Sequence, residues 1–115
     1  MAFLTAAEMG LGKPLHGWTG RFFHSQNMTF ALWEIAADAV PLHEHYHPQE
    51  EVWNIVEGRI AITVDGVERE LGPGDAVIVP PGTRHSARAL GACRVVVADW
   101  PVREQLPGLV VPPRR

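Results

Sequence analysis

The sequence predicts one all-β domain, a sandwich or small barrel of short antiparallel strands. A chain of 115 residues has room for one core. Its 11 glycines and 10 prolines are more than helix interiors tolerate. From Trp18 onward, short runs with period-two alternation recur between turn signals. We therefore predict a single domain over residues 1–115, with a barrel core at about 18–100.

The strands are predicted from these runs, and the turns from Gly, Pro and Asp. The predicted strands lie near 18–24, 28–36, 40–47, 51–57, 59–64, 67–71, 76–80, 84–89 and 92–99. Asp65-Gly66 predicts a two-residue hairpin, because both central positions of that turn favour positive φ. The segment 1–16 is expected to form an arm packed on the barrel, with one helical turn after Thr5. The Pro-rich tail 101–113 is expected to lie on the barrel or on a partner chain.

Charge and cysteine content exclude several classes of protein. The formal charge is −3 and the only basic run is Arg114-Arg115, so a nucleic-acid partner is not expected. Cys93 stands alone and cannot form an internal disulfide, and the N-terminus resembles no signal peptide. No apolar stretch approaches the roughly 20 residues that span a bilayer. The sequence therefore predicts a cytoplasmic protein without a membrane partner.

Histidines and a glutamate form the pattern that carries chemistry. On a strand, alternate side chains share a face, so His45 and His47 point the same way and Glu51 enters from the next strand. His85 follows 34 residues after Glu51. Three imidazoles and one carboxylate suit one divalent transition metal, Fe, Mn, Ni, Cu or Zn, better than Mg or Ca. The identity of the ion stays open.

These residues also carry a resemblance to a known family. The first motif is His45-x-His47, three residues, Glu51, six residues and Gly58, and the second is Gly74, five residues, Pro80-x-Gly82, two residues and His85. With 15 residues between them, the two motifs resemble those of small single-domain cupins. The resemblance implies a cupin jelly-roll barrel whose interior metal is bound by His45, His47, Glu51 and His85. Ala89 stands where the second motif often has Asn.

Strand parity sketches the surroundings of the metal. Trp53 and Ile55 follow Glu51 on its face, and Ala87 and Ala89 follow His85, which predicts a substrate pocket that is also core. Glu50 alternates to the opposite face.

The remaining polar candidates are ranked by their position along the chain. His43 shares the face of His45 and His47 and is expected at the rim or behind the ligands. His43, Tyr46 and Arg84 are candidate catalytic residues if they reach inward. His16 and His24 are expected at the surface.

Three functions fit this pattern: an enzyme acting on a small oxygen-rich molecule by dioxygenase-like or non-redox isomerase or lyase chemistry, a metal-anchored binding module, and a structural metal site. Structural zinc sites are usually closed and cysteine-rich, which disfavours the third. An enzyme is favoured over a binding module because no second domain is available to report a bound ligand.

A second, weaker resemblance bears on the reaction. Pro101-Val102-Arg103-Glu104 is similar to the ending of small cupins of pectin and alginate breakdown, which open unsaturated uronates without oxidation. That resemblance implies that Arg103 holds an acidic sugar, which makes Arg103 a fourth candidate catalytic residue. The same cupins carry an acid and an aromatic where this chain has Val97 and Asp99, so the register of the acid differs.

The aromatic residues near the N-terminus predict a homodimer. Trp18, Phe22, Phe23 and Phe30 would form an exposed apolar patch unless covered. Either the segment 18–36 or the tail 101–113 is expected to cross to the partner.

Overall fold

The computed structural model describes residues 1–104, which form ten strands in two antiparallel sheets. The strands are Gly10–Leu15 (β1), Trp18–His24 (β2), Thr29–Ile35 (β3), Leu42–His45 (β4), Glu50–Glu57 (β5), Ile60–Val64 (β6), Val67–Leu71 (β7), Ala76–Val79 (β8), His85–Ala89 (β9) and Cys93–Trp100 (β10). The large sheet has the order β1-β2-β3-β10-β5-β8, and the small sheet has the order β4-β9-β6-β7. This is the predicted all-β jelly roll.

The N-terminal arm packs against the barrel as a strand. Glu8 accepts hydrogen bonds from the backbone N–H and the hydroxyl of Thr5, which closes the single turn Ala6–Glu8. Strand β1 then pairs with β2, with a register shift between Gly12 and Leu15. No strand was predicted here, because two glycines and Pro14 leave no alternating pattern to detect. The residues 105–115 of the predicted Pro-rich tail lie outside the described part.

The hairpin between β6 and β7 confirms the turn prediction. Asp65 and Gly66 have φ values of 50° and 77°, which is the positive-φ pair that a two-residue turn of this kind requires. Another tight turn joins β5 to β6, where a Cβ on Gly58 would lie 2.3 Å from the carbonyl oxygen of Ala92. Only glycine fits at that position.

The core fills the space between the sheets with residues that alternate along the strands. Trp18 and Phe22 are buried there, whereas Phe23 and Phe30 lie on the outer face of the large sheet. The predicted patch of four exposed aromatics is therefore wrong for Trp18 and Phe22, since period two turns neighbouring side chains to opposite faces. No helix among residues 1–104 is long and apolar enough to cross a membrane.

Candidate metal centre

A row of polar side chains crosses the inner face of the large sheet at one end of the barrel. The strand pairing places His24 opposite Thr29, Thr29 opposite Asp99, and Asp99 opposite Glu51. All four are buried. The next inward row consists of Phe22, Ala31, Val97 and Trp53. The interior thus changes from polar to apolar over two residues along each strand. Polar chemistry inside the barrel is therefore confined to this end.

Three histidines approach this row from the small sheet and its connection. His45 ends β4 directly opposite His85, which begins β9, and the centroids of their rings are 4.2 Å apart. His47 lies after β4, and its backbone carbonyl accepts a hydrogen bond from Gly82 N–H. That bond holds His47 beside the turn that leads to His85, with ring centroids 5.0 Å apart. One ligand atom from each of the three rings lies within 4.8 Å of the others.

Backbone hydrogen bonds fix which ring nitrogen faces the site. His45 Nδ1 lies 2.9 Å from the carbonyl oxygen of His43, and His85 Nδ1 lies 2.8 Å from that of Thr83. A carbonyl oxygen only accepts, so each Nδ1 carries the proton, and in the neutral rings each Nε2 keeps a lone pair. Burial lowers the pKa of His45 and so favours its neutral ring. These are the features of metal-ligating imidazoles.

Glu51 joins the two sheets at this point. Its Oε2 lies 2.8 Å from His85 Nε2 and accepts a 2.9 Å hydrogen bond from Trp53 Nε1, while Oε1 lies 3.5 Å from His47 Nε2. Burial by itself raises the pKa of Glu51, but hydrogen-bonding contacts with His47, His85, Asp99 and Trp53 outweigh burial and hold the pKa well below its usual range. For His85 the effects have opposite signs to those on Glu51. Burial by itself lowers the pKa of His85, but the Glu51 carboxylate and the Thr83 carbonyl outweigh burial, so the pKa is raised.

Asp99 is a site residue that the sequence analysis did not select. It is 3% exposed and lies opposite Glu51 on the neighbouring strand. Burial, together with the charge of Glu51, raises the pKa of Asp99 to about 8. The signal that could have found it is an aspartate at an inward position of the apolar strand β10, where alternation predicts a buried side chain.

Arg103 completes the cluster from the C-terminal side. Its Nη1 lies 3.7 Å from Glu51 Oε1 and 3.8 Å from Asp99 Oδ2. The segment that carries it follows a cis Trp100–Pro101 bond and is held by side chains: Arg103 N–H donates to the Thr29 hydroxyl at 2.9 Å, and Gln49 donates to the Val102 carbonyl at 3.3 Å. Of the four candidate catalytic residues, Arg103 is the one that reaches the cluster.

The other three candidates lie on the surface. A register shift between Leu42 and His45 breaks the alternation of β4, so His43 is exposed rather than on the inner face with His45. Its contribution is the backbone carbonyl that orients His45. The Tyr46 side chain is also exposed, and the Arg84 guanidinium stacks over its ring at 5.0 Å from the ring centroid.

The predicted pocket residues belong to the packed interior. Trp53, Ile55 and Ala87 are core residues, and Ala89 packs against them. Trp53 contacts the site directly through its bond to Glu51. Glu50 is exposed on the outer face, as its alternation predicts.

The two histidines outside the motifs differ from each other. His16 is exposed and pairs with Asp38 at 3.1 Å. The expectation of a surface position is wrong for His24, which is buried and lies 2.7 Å from the Thr29 hydroxyl. Its place at the inward-facing end of β2 explains the burial.

A surface cavity of about 810 Å³ lies at the opposite end of the barrel, between β1 and the starts of β2 and β10. Its lining includes Lys13, His16, Glu34 and Arg94, of which Glu34 and Arg94 pair with each other at 3.9 Å and His16 pairs with Asp38. The clustered chemistry is at the histidine end, so we place the candidate site there.

Residues 31–99, more than half of the chain, match the family described as "Cupin domain". The chain is a cupin. Solved structures agree on the fold. A cupin of the RmlC-like type from Shewanella frigidimarina superposes with a TM-score of 0.82 at 23% identity, covering 90% of this cupin and 94% of that chain. KdgF from a Halomonas species superposes with a TM-score of 0.81 at 22% identity, covering 90% of this chain and 96% of that one. Oxalate decarboxylase from Bacillus subtilis superposes with a TM-score of 0.76 at 17% identity, covering 85% of this chain and 29% of that one.

Curated relatives match shorter segments of the cupin. An uncharacterised protein of Methanocaldococcus jannaschii is 40% identical over 50 residues, which span 44% of this chain and 39% of that protein. One from Streptomyces coelicolor is 34% identical over 65 residues, 56% of this chain and 61% of that protein. The matched segments thus span less than two thirds of either relative.

The donor set of this cupin fits a divalent transition metal. His47 Nδ1 is buried without a hydrogen-bond partner among residues 1–104, and the Nε2 atoms of His47 and His85 face the buried Glu51 carboxylate. Buried ring nitrogens gathered at a carboxylate cost free energy unless a proton or a cation lies between them. His45, His47, Glu51 and His85 would hold the ion. When bound, such an ion supplies Lewis acidity to a coordinated oxygen.

Proposed function

We propose that this cupin is a metal-dependent enzyme acting on a small oxygen-rich organic molecule. The observation that carries the proposal is a group of three histidines beside a buried carboxylate: the Nδ1 bonds of His45 and His85 leave their Nε2 atoms available to ligate, and His85 Nε2 lies 2.8 Å from Glu51. Imidazole nitrogens together with a carboxylate oxygen suit Fe, Mn, Ni, Cu or Zn. Four protein ligands would leave two positions open on a six-coordinate ion.

The charges around the cluster favour an acidic substrate. Three neutral imidazoles and one carboxylate leave a divalent ion with a net charge of +1, and Arg103 adds a second positive group. A carboxylate or enolate oxygen is therefore attracted to this end of the barrel. One structural neighbour, an oxalate decarboxylase by name, acts on a small molecule of this kind.

Metal content tests the ligand assignment. We expect one ion per chain in the wild type and a loss of most of it in His47→Ala, because alanine cannot ligate. His16→Ala is the matched control, since His16 is an exposed histidine paired with Asp38. Equal metal content in His47→Ala and the wild type would contradict the assignment.

Turnover separates an enzyme from a binding module. Activity should need the ion, be lost in Glu51→Ala, and stay within about tenfold in Glu50→Ala, whose side chain faces away. Oxygen uptake by Fe(II)-loaded protein with catechols, β-diketones or flavonols would indicate dioxygenase-like chemistry. Tight ligand binding by calorimetry without turnover would instead favour the metal-anchored binding module.

The second candidate is the non-oxidative opening of unsaturated uronates, which the resemblance of Pro101–Glu104 implies. The favouring observation is that Arg103 reaches the cluster, where it could hold a sugar carboxylate. Those cupins carry an acid at the position of Val97. Here an acid stands two residues later, at Asp99, whose side chain faces inward on the same face as Val97. An unsaturated uronate should then lose its ultraviolet absorbance without oxygen uptake, and Arg103→Ala should raise KM. No change in absorbance would exclude this substrate.

The cytoplasmic location and the absence of a nucleic-acid or membrane partner stay predictions from composition.

A further inference from the structure

Asp99 is not one of the four predicted metal ligands, yet it lies close enough to two of them to bind the same ion. One carboxylate oxygen of Asp99 lies within 4.8 Å of the ligand atoms of both His47 and Glu51. His47 also belongs to the group of three histidines, so the two groups of possible ligands have His47 in common.

The burial of Asp99 strengthens this reading. The side chain is 3% exposed, and its Oδ1 has no hydrogen-bond partner among residues 1–104. Asp99 has a hydrogen-bonding contact with Glu51, while its Oδ2 lies 3.8 Å from Arg103, beyond hydrogen-bond distance. Two buried acids in contact cannot both be charged without a large cost in free energy unless a cation lies between them. His47 beside them is 8% exposed; its Nε2 faces Glu51 at 3.5 Å, and its Nδ1 has no hydrogen-bond partner in the described part of the chain.

We propose that Asp99 is a fifth protein ligand of the metal ion, an inference that rests on the metal-dependent function proposed above. Five protein donors leave one open position on a six-coordinate ion rather than two. The two carboxylates neutralise the divalent charge, so Arg103 becomes the main positive group for an anionic substrate. The substrate class follows: a molecule that places one oxygen on the ion and a carboxylate on Arg103, rather than a chelate such as a catechol.

Cobalt binding tests the proposal without any substrate. The metal-free wild type, Asp99→Ala and Asp38→Ala are titrated with Co²⁺ by calorimetry and by visible absorption, whose band intensity rises as the coordination number falls. We expect Asp99→Ala to bind Co²⁺ at least tenfold more weakly and with stronger bands. Asp38→Ala is the matched control, because Asp38 is an exposed aspartate paired with His16 outside the cluster, and its spectrum should equal that of the wild type.

A crystal structure of the Co²⁺-loaded wild type supplies the second readout. An Asp99 oxygen within about 2.2 Å of the ion would support the proposal. An ion held by the histidines and Glu51 with Asp99 turned to Arg103 would overturn it, as would identical spectra for wild type and Asp99→Ala. Failure of the wild type to bind Co²⁺ would instead overturn the metal-dependent function itself.

A different observation concerns the outer face of the large sheet. The strand pairing aligns Phe23, Phe30, Ala98, Val52 and Ile78 in one row across five strands. Phe23 and Phe30 stack at 5.1 Å, and Ile78 is 63% exposed. The flanking positions add Leu32, Val96 and Trp100. We call these eight residues the apolar face.

We infer that the apolar face binds a second copy of this chain. The row is close to symmetric about the central strand β10: small Ala98 lies in the middle, with Val52 and Phe30 on either side and Ile78 and Phe23 beyond. A two-fold axis along β10 would therefore set Phe30 against the partner's Val52 and Phe23 against the partner's Ile78. An interface of this kind is self-complementary, as two-fold dimers require.

The size and border of the face also fit a dimer. Five strands about 4.8 Å apart and three outward rows about 6.8 Å apart give roughly 490 Å² of sheet, so the bordering polar residues would supply the rest of the interface. Each partner in a standard interface buries about 800 Å². Arg21, Asn54 and Glu50 end the flanking rows, and Glu34 and Arg94 lie beyond them, which resembles the polar rim of such interfaces.

Light scattering tests the dimer. The wild type should have about twice the 12.7 kDa mass of one chain at micromolar concentration, and Ile78→Lys should weaken the dimer at least tenfold. Val67→Lys is the matched control, because Val67 is 52% exposed on the small sheet and should leave the dimer intact. Leu32→Glu serves as a second variant of the face if Ile78→Lys does not fold. A monomeric wild type would overturn the proposal and leave residues 105–115 or another protein to cover the face. A dimer that persists in both face variants would also overturn it.

Discussion

At the scale of single residues, hydrogen bonds to backbone oxygens prepare the site for a cation. His45 and His85 each use Nδ1 to bond the carbonyl two residues earlier in the chain. The same local geometry thus occurs on two strands of the small sheet. It leaves both Nε2 atoms available to ligate, and His85 Nε2 lies 2.8 Å from Glu51 on the large sheet, where Glu51 and Asp99 lie side by side. Because these two acids share one buried environment without a bound cation, their charges oppose each other, and the pKa of Asp99 is raised to about 8.

That shared environment predicts a pH dependence for the metal-free protein. The pKa of Asp99 is about 8 in the folded chain against an ordinary value of 3.8, so the folded state binds more protons and loses stability as the pH rises toward 8. The raised pKa of His85 acts in the same direction. Glu51 has a lowered pKa, so its contribution is complete above about pH 4.5 and constant in this range. Thermal melting of chelator-treated protein between pH 6.5 and 8.5 should show a falling Tm, with a shallower slope in Asp99→Asn. Parallel slopes would contradict the shift.

At the scale of elements, the irregular segments decide which residues reach the site. The register shift in β4 turns His45 inward and leaves His43 outside, and the carbonyl of His47 is tied to Gly82 in the turn before β9. On the other side, the segment after β10 is anchored by Thr29, which receives the Arg103 N–H. Thr29 also contacts His24, so β2, β3 and the C-terminal segment meet at one hydroxyl.

The Thr29 hydroxyl is therefore expected to matter for stability and for placing Arg103. Thr29→Val keeps the shape but leaves a half-buried N–H unpaired, which costs about 1–2 kcal/mol of unfolding free energy. Urea denaturation measures this cost. Thr63→Val on β6, a half-buried threonine away from the site, is the control and should lose less than about 0.5 kcal/mol. Equal losses in the two variants would argue against a special role for Thr29.

At the scale of the whole molecule, the candidate metal centre connects the two sheets. His45 and His85 belong to the small sheet, Glu51 and Asp99 to the large one, and His47 to the connection between them. An ion at this point acts as a cross-link between the two layers, and it binds only when both are in place. Metal binding is then coupled to folding.

Metal removal should consequently lower the stability of the barrel. With free metal at 100 times its Kd, the linked stabilisation is about 2.7 kcal/mol. For a chain of this size, that corresponds to roughly 10 °C in Tm. Differential scanning calorimetry before and after chelation measures the shift, and His47→Ala should show almost none. A wild-type Tm that does not change on chelation would indicate that the ion does not bridge the sheets.

The sequence by itself determined nine of the ten strands, the hairpin and the three histidines and one glutamate that could ligate a metal. These features are local: alternation marks strands, Asp65-Gly66 has the backbone preferences of its turn, and the histidines and Glu51 stand at fixed spacings on predicted strands. The outward direction of Glu50 follows from the same period of two.

Only the tertiary structure decided which residues meet across strands. Asp99 lies 48 positions from Glu51 in the chain, and only the pairing of β5 with β10 sets them side by side. Strand β1 forms because β2 offers it an edge, although its own sequence carries little strand signal. The burial of His24 and the exposure of His43 depend on strand ends and a register shift. Long-range pairing and local irregularity leave no periodic trace in the sequence, which is the physical reason these positions required the structure.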